Sequence, residues 1–196
     1  VKNAVERVFS VTSVTSFLIS GVFLSLAYPL GKLVYDSTEV GYLIRALSPL
    51  IPFMYIDLIA DGILKGLDKQ NFLFKTNVAD SLLRVVLVVI LVPKFGMLGF
   101  LGIMFFSNLF TSILSVIKIV KSVKIKFNFK KYFLKPLFAV FTAAMLSNSF
   151  LKSAQHINIL YIILVSGSIA ILYFVILIFL GVIDLKSFCP KKRKNR

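Results

Sequence analysis

The chain has 196 residues, 58% of them hydrophobic, and a formal net charge of +15. This apolar fraction is well above the roughly 45–50% of soluble globular domains and excludes a soluble fold. The lysines and arginines lie between apolar segments, which is typical of membrane-protein loops and not of a nucleic-acid surface. We therefore expect an all-α, polytopic membrane protein without a nucleic-acid partner.

Long apolar segments, several of them uncharged, predict six transmembrane helices, because about 20 apolar residues in a helix cross a bilayer. In chain order they cover residues 8–31, 42–64, 72–92, 97–117, 136–151 and 157–183. The first helix carries small hydroxyl residues at Ser10, Thr12, Ser13, Thr15, Ser16 and Ser20. Small residues let helices approach closely in lipid, so this pattern favours helix packing. A polar stripe that faces a substrate is the alternative.

The connections also follow from composition. Residues 32–41 are predicted to form a polar loop, and the sequence PKFG at 93–96 a tight turn. Residues 118–135 are rich in lysine and aromatic residues, which predicts an amphipathic connector that contacts anionic lipid headgroups. We divide the chain into a four-helix part at 1–117, the basic connector at 118–135, a terminal helix pair at 136–185 and a basic tail at 186–196. A small turn is predicted at 152–156.

The distribution of positive charge predicts the orientation. With six spans, the N-terminus, residues 65–75, the connector and the tail lie on one side of the membrane. These segments hold 18 of the 23 lysines and arginines, whereas the opposite side holds four. Cytoplasmic loops of membrane proteins carry an excess of Lys and Arg, so we expect both termini in the cytoplasm.

The second predicted helix contains the most informative residues of the chain. Asp57, Asp61 and Lys65 follow one another at intervals of four and share one helix face. Ionised groups at membrane depth are costly, so they normally face water or a partner charge. Pro49 and Pro52 are expected to kink the same helix before the carboxylates, either as a moving part or as a purely structural kink.

The third predicted helix adds Asp80 and Arg84, one turn apart. One interpretation is a polar ladder that joins the two helices, with pairs Asp57–Arg84, Asp61–Lys65 and Asp80–Arg84. The functional interpretation is that these five residues line an aqueous pathway for a substrate or an ion. The pathway would bind a cation, a proton or a charged headgroup, and the surplus of carboxylates suits cation or proton coupling.

Patterns typical of enzymes are missing from the sequence. There is no Gly-x-Ser-x-Gly elbow and no Walker motif, and the single His156 and single Cys189 form no metal-ligand spacing. We therefore expect no enzymatic activity, no cofactor and no metal.

Residues 41–100 resemble the C-terminal half of bacterial polysaccharide-biosynthesis membrane proteins, closest to the stage V sporulation protein B branch. The resemblance is carried by LIRALSP with Pro52, by DGILKGL with Gln70, by Asn77 and Asp80, and by the turn VPKFG followed by Gly99. It extends over residues 8–135, while the last two helices are similar only in hydropathy.

This family is similar to the MATE-like superfamily of 14-helix exporters, whose two lobes work by alternating access. The resemblance implies that the chain is one lobe, matching helices nine to fourteen, in a bacterial plasma membrane. It implies a flippase for a lipid-linked saccharide in polysaccharide, peptidoglycan or spore-wall synthesis. The expected partners are membrane lipids, that cargo, and a missing N-terminal lobe or a second copy. The alternatives are the lobe of a MATE-type cation or drug antiporter and a non-transporting scaffold.

Overall fold

The computed structural model describes residues 1–124, 130–151 and 159–181. No strand occurs within these ranges, in agreement with the expected all-α class. The helices are α1 (Lys2–Tyr35), α2 (Thr38–Leu47), α3 (Ile51–Gly66), α4 (Gln70–Val123), α5 (Lys135–Leu151) and α6 (Ile159–Phe179). Ser48–Leu50 forms a 3₁₀ turn between α2 and α3, and Lys130–Leu134 forms a π-helical turn before α5.

Helix α1 lies at the centre and packs against α2, α3, α5 and α6. Its small hydroxyl residues Ser13, Ser16 and Ser20 are buried at these contacts. The Ser13 hydroxyl donates to the carbonyl of Tyr132, and the buried Tyr173 hydroxyl of α6 donates to the carbonyl of Val14 at 2.9 Å. The predicted packing role is therefore confirmed for Thr12, Ser13, Ser16 and Ser20, whereas Thr15 is exposed and Ser10 is half-buried.

The predicted polar loop at 32–41 is wrong. Helix α1 continues to Tyr35, and only two residues separate it from α2. Asp36 adopts a left-handed conformation with φ of 49°, and the Ser37 side chain caps the first turn of α2. This tight reversal brings Gly31 against the backbone of Gly41, an approach that a side chain at Gly31 would prevent.

Helix α4 is a hairpin with its bend at Gly96. This glycine has φ of 56° and ψ of −134°, a conformation that is essentially restricted to glycine. On a straight helix Arg84 and Ser107 would lie about 35 Å apart, yet their side chains are in hydrogen-bond contact at 2.7 Å. The first arm (70–95) and the second arm (97–123) are therefore antiparallel, and the predicted turn at 93–96 is confirmed.

Among the described residues, four helices are long and apolar enough to cross a membrane: Lys2–Tyr35, Thr38–Gly66, Gln70–Val123 and Ile162–Phe179. Tyr132–Leu146 is apolar but shorter. The chain is thus a membrane protein, and the number of six spans is not confirmed. Helix α4 also runs to Val123, six residues into the predicted connector. The predicted turn at 152–156 and the tail at 186–196 lie outside the described residues.

The basic segments of the described chain meet at one end of the helices. A hydrophobic cluster joins Val5 of α1, Leu64 of α3, Leu73 and Ile119 of the two α4 arms, and Tyr132 before α5. The exposed cations around it include Lys2, Arg7, Lys65, Lys69, Lys121, Lys124 and Lys130. Three of the four predicted basic segments therefore share one end of the molecule, and the tail, the fourth, is not described.

Candidate functional site

A polar cleft of about 570 Å³ lies between α3 and the two arms of α4; we call it the α3–α4 cleft. Its polar lining comes from Asp57, Asn77, Asp80, Ser81, Arg84, Asn108 and Thr111, and three valines of the first arm complete it. The hairpin at Gly96 creates this site, because it returns residues 107–111 to the level of residues 80–84. The cleft lies within helices that are long and apolar enough to cross the membrane.

Arg84 is held on one side of the cleft by two partners. Its Nη2 donates to Asp80 Oδ2 at 2.8 Å within the first arm and to Ser107 Oγ at 2.7 Å on the second arm. The Ser107 hydroxyl in turn donates to the other oxygen of Asp80. Asp80 and Ser107 are buried, whereas the Arg84 side chain is 45% exposed. The predicted Asp80–Arg84 pair is confirmed, and the rest of the guanidinium faces the cleft.

Asp57 lies across the cleft from this group, but it does not pair with Arg84 as the ladder interpretation predicted. Its Oδ2 accepts a hydrogen bond from the hydroxyl of Thr111 at 3.2 Å. Its Oδ1 is a buried oxygen without a hydrogen-bond partner. The ladder interpretation paired Asp57 with Arg84 only because both residues were expected at a similar depth in the membrane. In the structure α3 runs parallel to the second arm, and this arm turns Thr111 toward Asp57.

Asp61 and Lys65 continue the same face of α3 toward the basic end. Within the described residues the only ion pair closer than 4.0 Å is Asp80–Arg84, so the predicted Asp61–Lys65 pair is not formed. Asp61 is half-buried and does not line the α3–α4 cleft. Lys65 is exposed and lines a separate cleft of about 350 Å³ with Gln70, Leu73, Phe74 and Asn77.

Pro49 and Pro52 act as predicted on the backbone. They interrupt the helix with the 3₁₀ turn at Ser48–Leu50. Pro52 has no N–H to donate to the Ser48 carbonyl four residues earlier. That carbonyl instead accepts the N–H of Ile51 and the hydroxyl of Ser20, the latter at 2.7 Å from α1. The 3₁₀ turn at the start of α3 is therefore hydrogen-bonded to α1, on the N-terminal side of Asp57 and Asp61.

Sequence reasoning missed several members of the cleft, namely Asn77, Ser81, Ser107, Asn108 and Thr111. A signal for some of them exists in the spacing. Asn77, Ser81 and Arg84 recur at intervals of four and three, which places them on one face of the first arm. Ser107 and Thr111 lie four apart on the second arm. Their meeting with Asp80 and Asp57 depends on how the hairpin pairs, which spacing does not predict.

Comparison with known proteins identifies one family. The family described as "Polysaccharide biosynthesis protein" matches residues 2–157. No curated protein and no solved structure matches the chain. The matched segment covers α1 to α5 and all of the α3–α4 cleft. The chain belongs to the polysaccharide biosynthesis protein family.

Proposed function

We propose that this protein is part of a flippase that moves a lipid-linked saccharide across the bacterial plasma membrane. The saccharide would serve polysaccharide, peptidoglycan or spore-wall synthesis, as in the MATE-like transporters and the sporulation branch that the sequence resembles. The observation that carries the proposal is the α3–α4 cleft, which places charged groups among membrane-spanning helices of a chain in this family. Such groups are costly in lipid and mark pathways for polar cargo or ions.

Arg84 is the proposed contact for the phosphate of the cargo. Asp80 and Ser107 engage Nη2 alone and so orient the side chain. A guanidinium has five N–H donors in a rigid fork, so the atoms that face the cleft are free to bind a phosphate. The carboxamides of Asn77 and Asn108 and the hydroxyl of Ser81 line the same cleft and suit the hydroxyl groups of a saccharide.

Asp57 is the proposed site of a coupling cation or proton. The cleft contains two carboxylates, Asp57 and Asp80, and only one guanidinium. Because Arg84 pairs with Asp80, the negative charge of Asp57 is not balanced by an ion pair. Its unpartnered Oδ1 supplies the acceptor that a cation or a proton requires. The same observation favours the second candidate function, a MATE-type cation or drug antiporter, in which Asp57 would bind the cargo itself.

The proposal includes six spans, counting each arm of α4 and the shorter α5 as one. The bend at Gly96 and the shared basic end support this count. The excess of Lys and Arg in the basic segments supports a cytoplasmic location for that end and for both termini. The α3–α4 cleft is open on one side, and the first arm exposes Leu82, Val85 and Val89 beside it. A second lobe, either an N-terminal one or a second copy, would close the cleft and provide alternating access.

A proteoliposome flipping assay on the full-length protein tests the role of Arg84. Arg84→Gln removes the cationic contact. We expect the flipping rate to fall by at least about tenfold, because one hydrogen bond to a charged group is lost. Lys94→Gln is the matched control, because Lys94 is exposed next to the Gly96 bend and lies outside the cleft. Equal rates for Arg84→Gln and the wild type would exclude Arg84 as a cargo contact.

Neutral carboxamides at Asp57 and Asp61 test coupling separately. We expect Asp57→Asn to abolish the dependence of flipping on a cation or proton gradient, while Asp61→Asn has the smaller effect because Asp61 lies outside the cleft. Unchanged transport and gradient dependence in both variants would remove the coupling role. The scaffold alternative predicts no flipping by the wild type. If the wild type instead dissipates a drug or cation gradient and flips no lipid-linked saccharide, the antiporter alternative is supported.

A further inference from the structure

The cleft around Lys65 is separate from the α3–α4 cleft and has a different character. Its volume is about 350 Å³, and its charged and polar lining consists of Lys65, Gln70 and Asn77, without a carboxylate. Lys65 is exposed and forms no ion pair with Asp61 one turn earlier, so its ammonium is available. These side chains together favour an anion that also carries hydrogen-bonding groups.

The two clefts share a lining residue on the first arm of α4, Asn77. Gln70, Asn77, Ser81 and Arg84 follow at intervals of seven, four and three, which places them along a single helix face. Gln70 and Arg84 are therefore about 21 Å apart along the helix. Polar residues on this face thus extend from the Lys65 cleft to Arg84, with Leu73 and Phe74 between Gln70 and Asn77.

The depth of Lys65 identifies the class of ligand. Lys65 lies in the last turn of α3, beside the cluster of helix ends around which the exposed cations gather. Phosphate headgroups of membrane lipids lie at this level, where basic side chains attract them.

We propose that the Lys65 cleft is an entry subsite for the phosphate group of a lipid-anchored headgroup, from which the headgroup passes along Asn77 and Ser81 to Arg84. This assignment rests on the proposed flippase function and adds to it a first binding step at the membrane surface. The chemistry recognised is an anionic phosphate, which free pyrophosphate also presents. The membrane-anchored form is the one that the position of the cleft favours.

Binding to the full-length protein in nanodiscs tests the subsite without requiring transport. The probes are farnesyl diphosphate, which partitions into the bilayer, and soluble inorganic pyrophosphate. Lys65→Gln is expected to weaken farnesyl diphosphate binding about tenfold, because it removes one charge-assisted hydrogen bond. Lys69→Gln removes an equally exposed lysine that does not line the cleft, and it should change the affinity less than about twofold.

The outcomes separate this proposal from the flippase proposal. Equal loss of affinity in Lys65→Gln and Lys69→Gln would overturn the subsite, since it would indicate general attraction to a basic surface. Equal affinity of the wild type for both probes would also overturn it, because a soluble anion would then be the ligand. In flipping assays we expect Lys65→Gln to raise the half-saturating cargo concentration and leave the maximal rate unchanged. A wild type that binds through Lys65 and flips nothing would reject the flippase alone.

Discussion

Arg84 and Ser107 are 23 residues apart in sequence, and their side chains meet at 2.7 Å across the α4 hairpin. Ser107 also donates to Asp80, so one hydroxyl connects both members of the ion pair to the opposite arm. This contact holds the two arms in register at the level of the α3–α4 cleft. It also leaves the outer face of the guanidinium directed to the cleft.

Removal of the Ser107 hydroxyl should loosen the hairpin. In Ser107→Ala the buried Asp80 loses a donor and Arg84 an acceptor, and we expect the free energy of unfolding to fall by about 1–3 kcal/mol. Thermal unfolding in detergent measures it. Ser81→Ala is the control, because Ser81 is an exposed serine of the same cleft with no described hydrogen bond. Equal stability of the two variants would show that the Ser107 contact contributes nothing.

The contact of Ser20 with the kinked helix can be measured by a double-mutant cycle. Ser20→Ala leaves the Ser48 carbonyl without its donor from α1, and we expect a loss of about 1 kcal/mol. Pro52→Ala restores an N–H that can satisfy this carbonyl, so the cost of Ser20→Ala should shrink in that background. Ser166→Ala, at an exposed serine bonded within its own helix, is the control. An identical cost in both backgrounds would contradict the compensation.

The close approach of α1 and α2 makes Gly31 intolerant of a side chain. A Cβ atom at Gly31 would lie 2.5 Å from the backbone nitrogen of Gly41. Backbone atoms cannot yield as a flexible side chain does, so Gly31→Ala should destabilise the protein by about 1–3 kcal/mol. At Gly62 a Cβ meets nothing within 4 Å, and Gly62→Ala should be neutral or stabilising by up to about 1 kcal/mol. Comparable melting temperatures would refute the close packing.

Labelling of single cysteines tests whether the two α4 arms are separate spans. Cys189 is the only native cysteine, so Cys189→Ser gives a cysteine-free background. Cysteines at Lys69, Lys94 and Lys121 occupy exposed positions before the first arm, at its end beside the Gly96 bend, and near the end of the second arm. A membrane-impermeant maleimide should label Lys69→Cys and Lys121→Cys from one side and Lys94→Cys from the other. Labelling of all three from the same side would exclude two crossings.

The sequence by itself determined the class of the protein and the places where its helices bend. Apolar composition requires a membrane environment. Pro49 and Pro52 restrict the backbone, and Gly96 permits a conformation that other residues avoid, so these features depend on local chemistry. The pair Asp80–Arg84 also followed from the sequence, because residues one turn apart on a helix are always neighbours.

Only the tertiary structure decided the contacts between helices. Asp57 contacts Thr111 and not Arg84, Asp61 and Lys65 remain unpaired, and Ser107 joins the Asp80–Arg84 pair. Each residue along a helix turns its side chain by about 100°, so a shift of one residue in the pairing of two helices directs different side chains into the cleft. That register is set by packing over whole helices and by the bend at Gly96. Depth in the membrane and spacing along one helix contain no information about it.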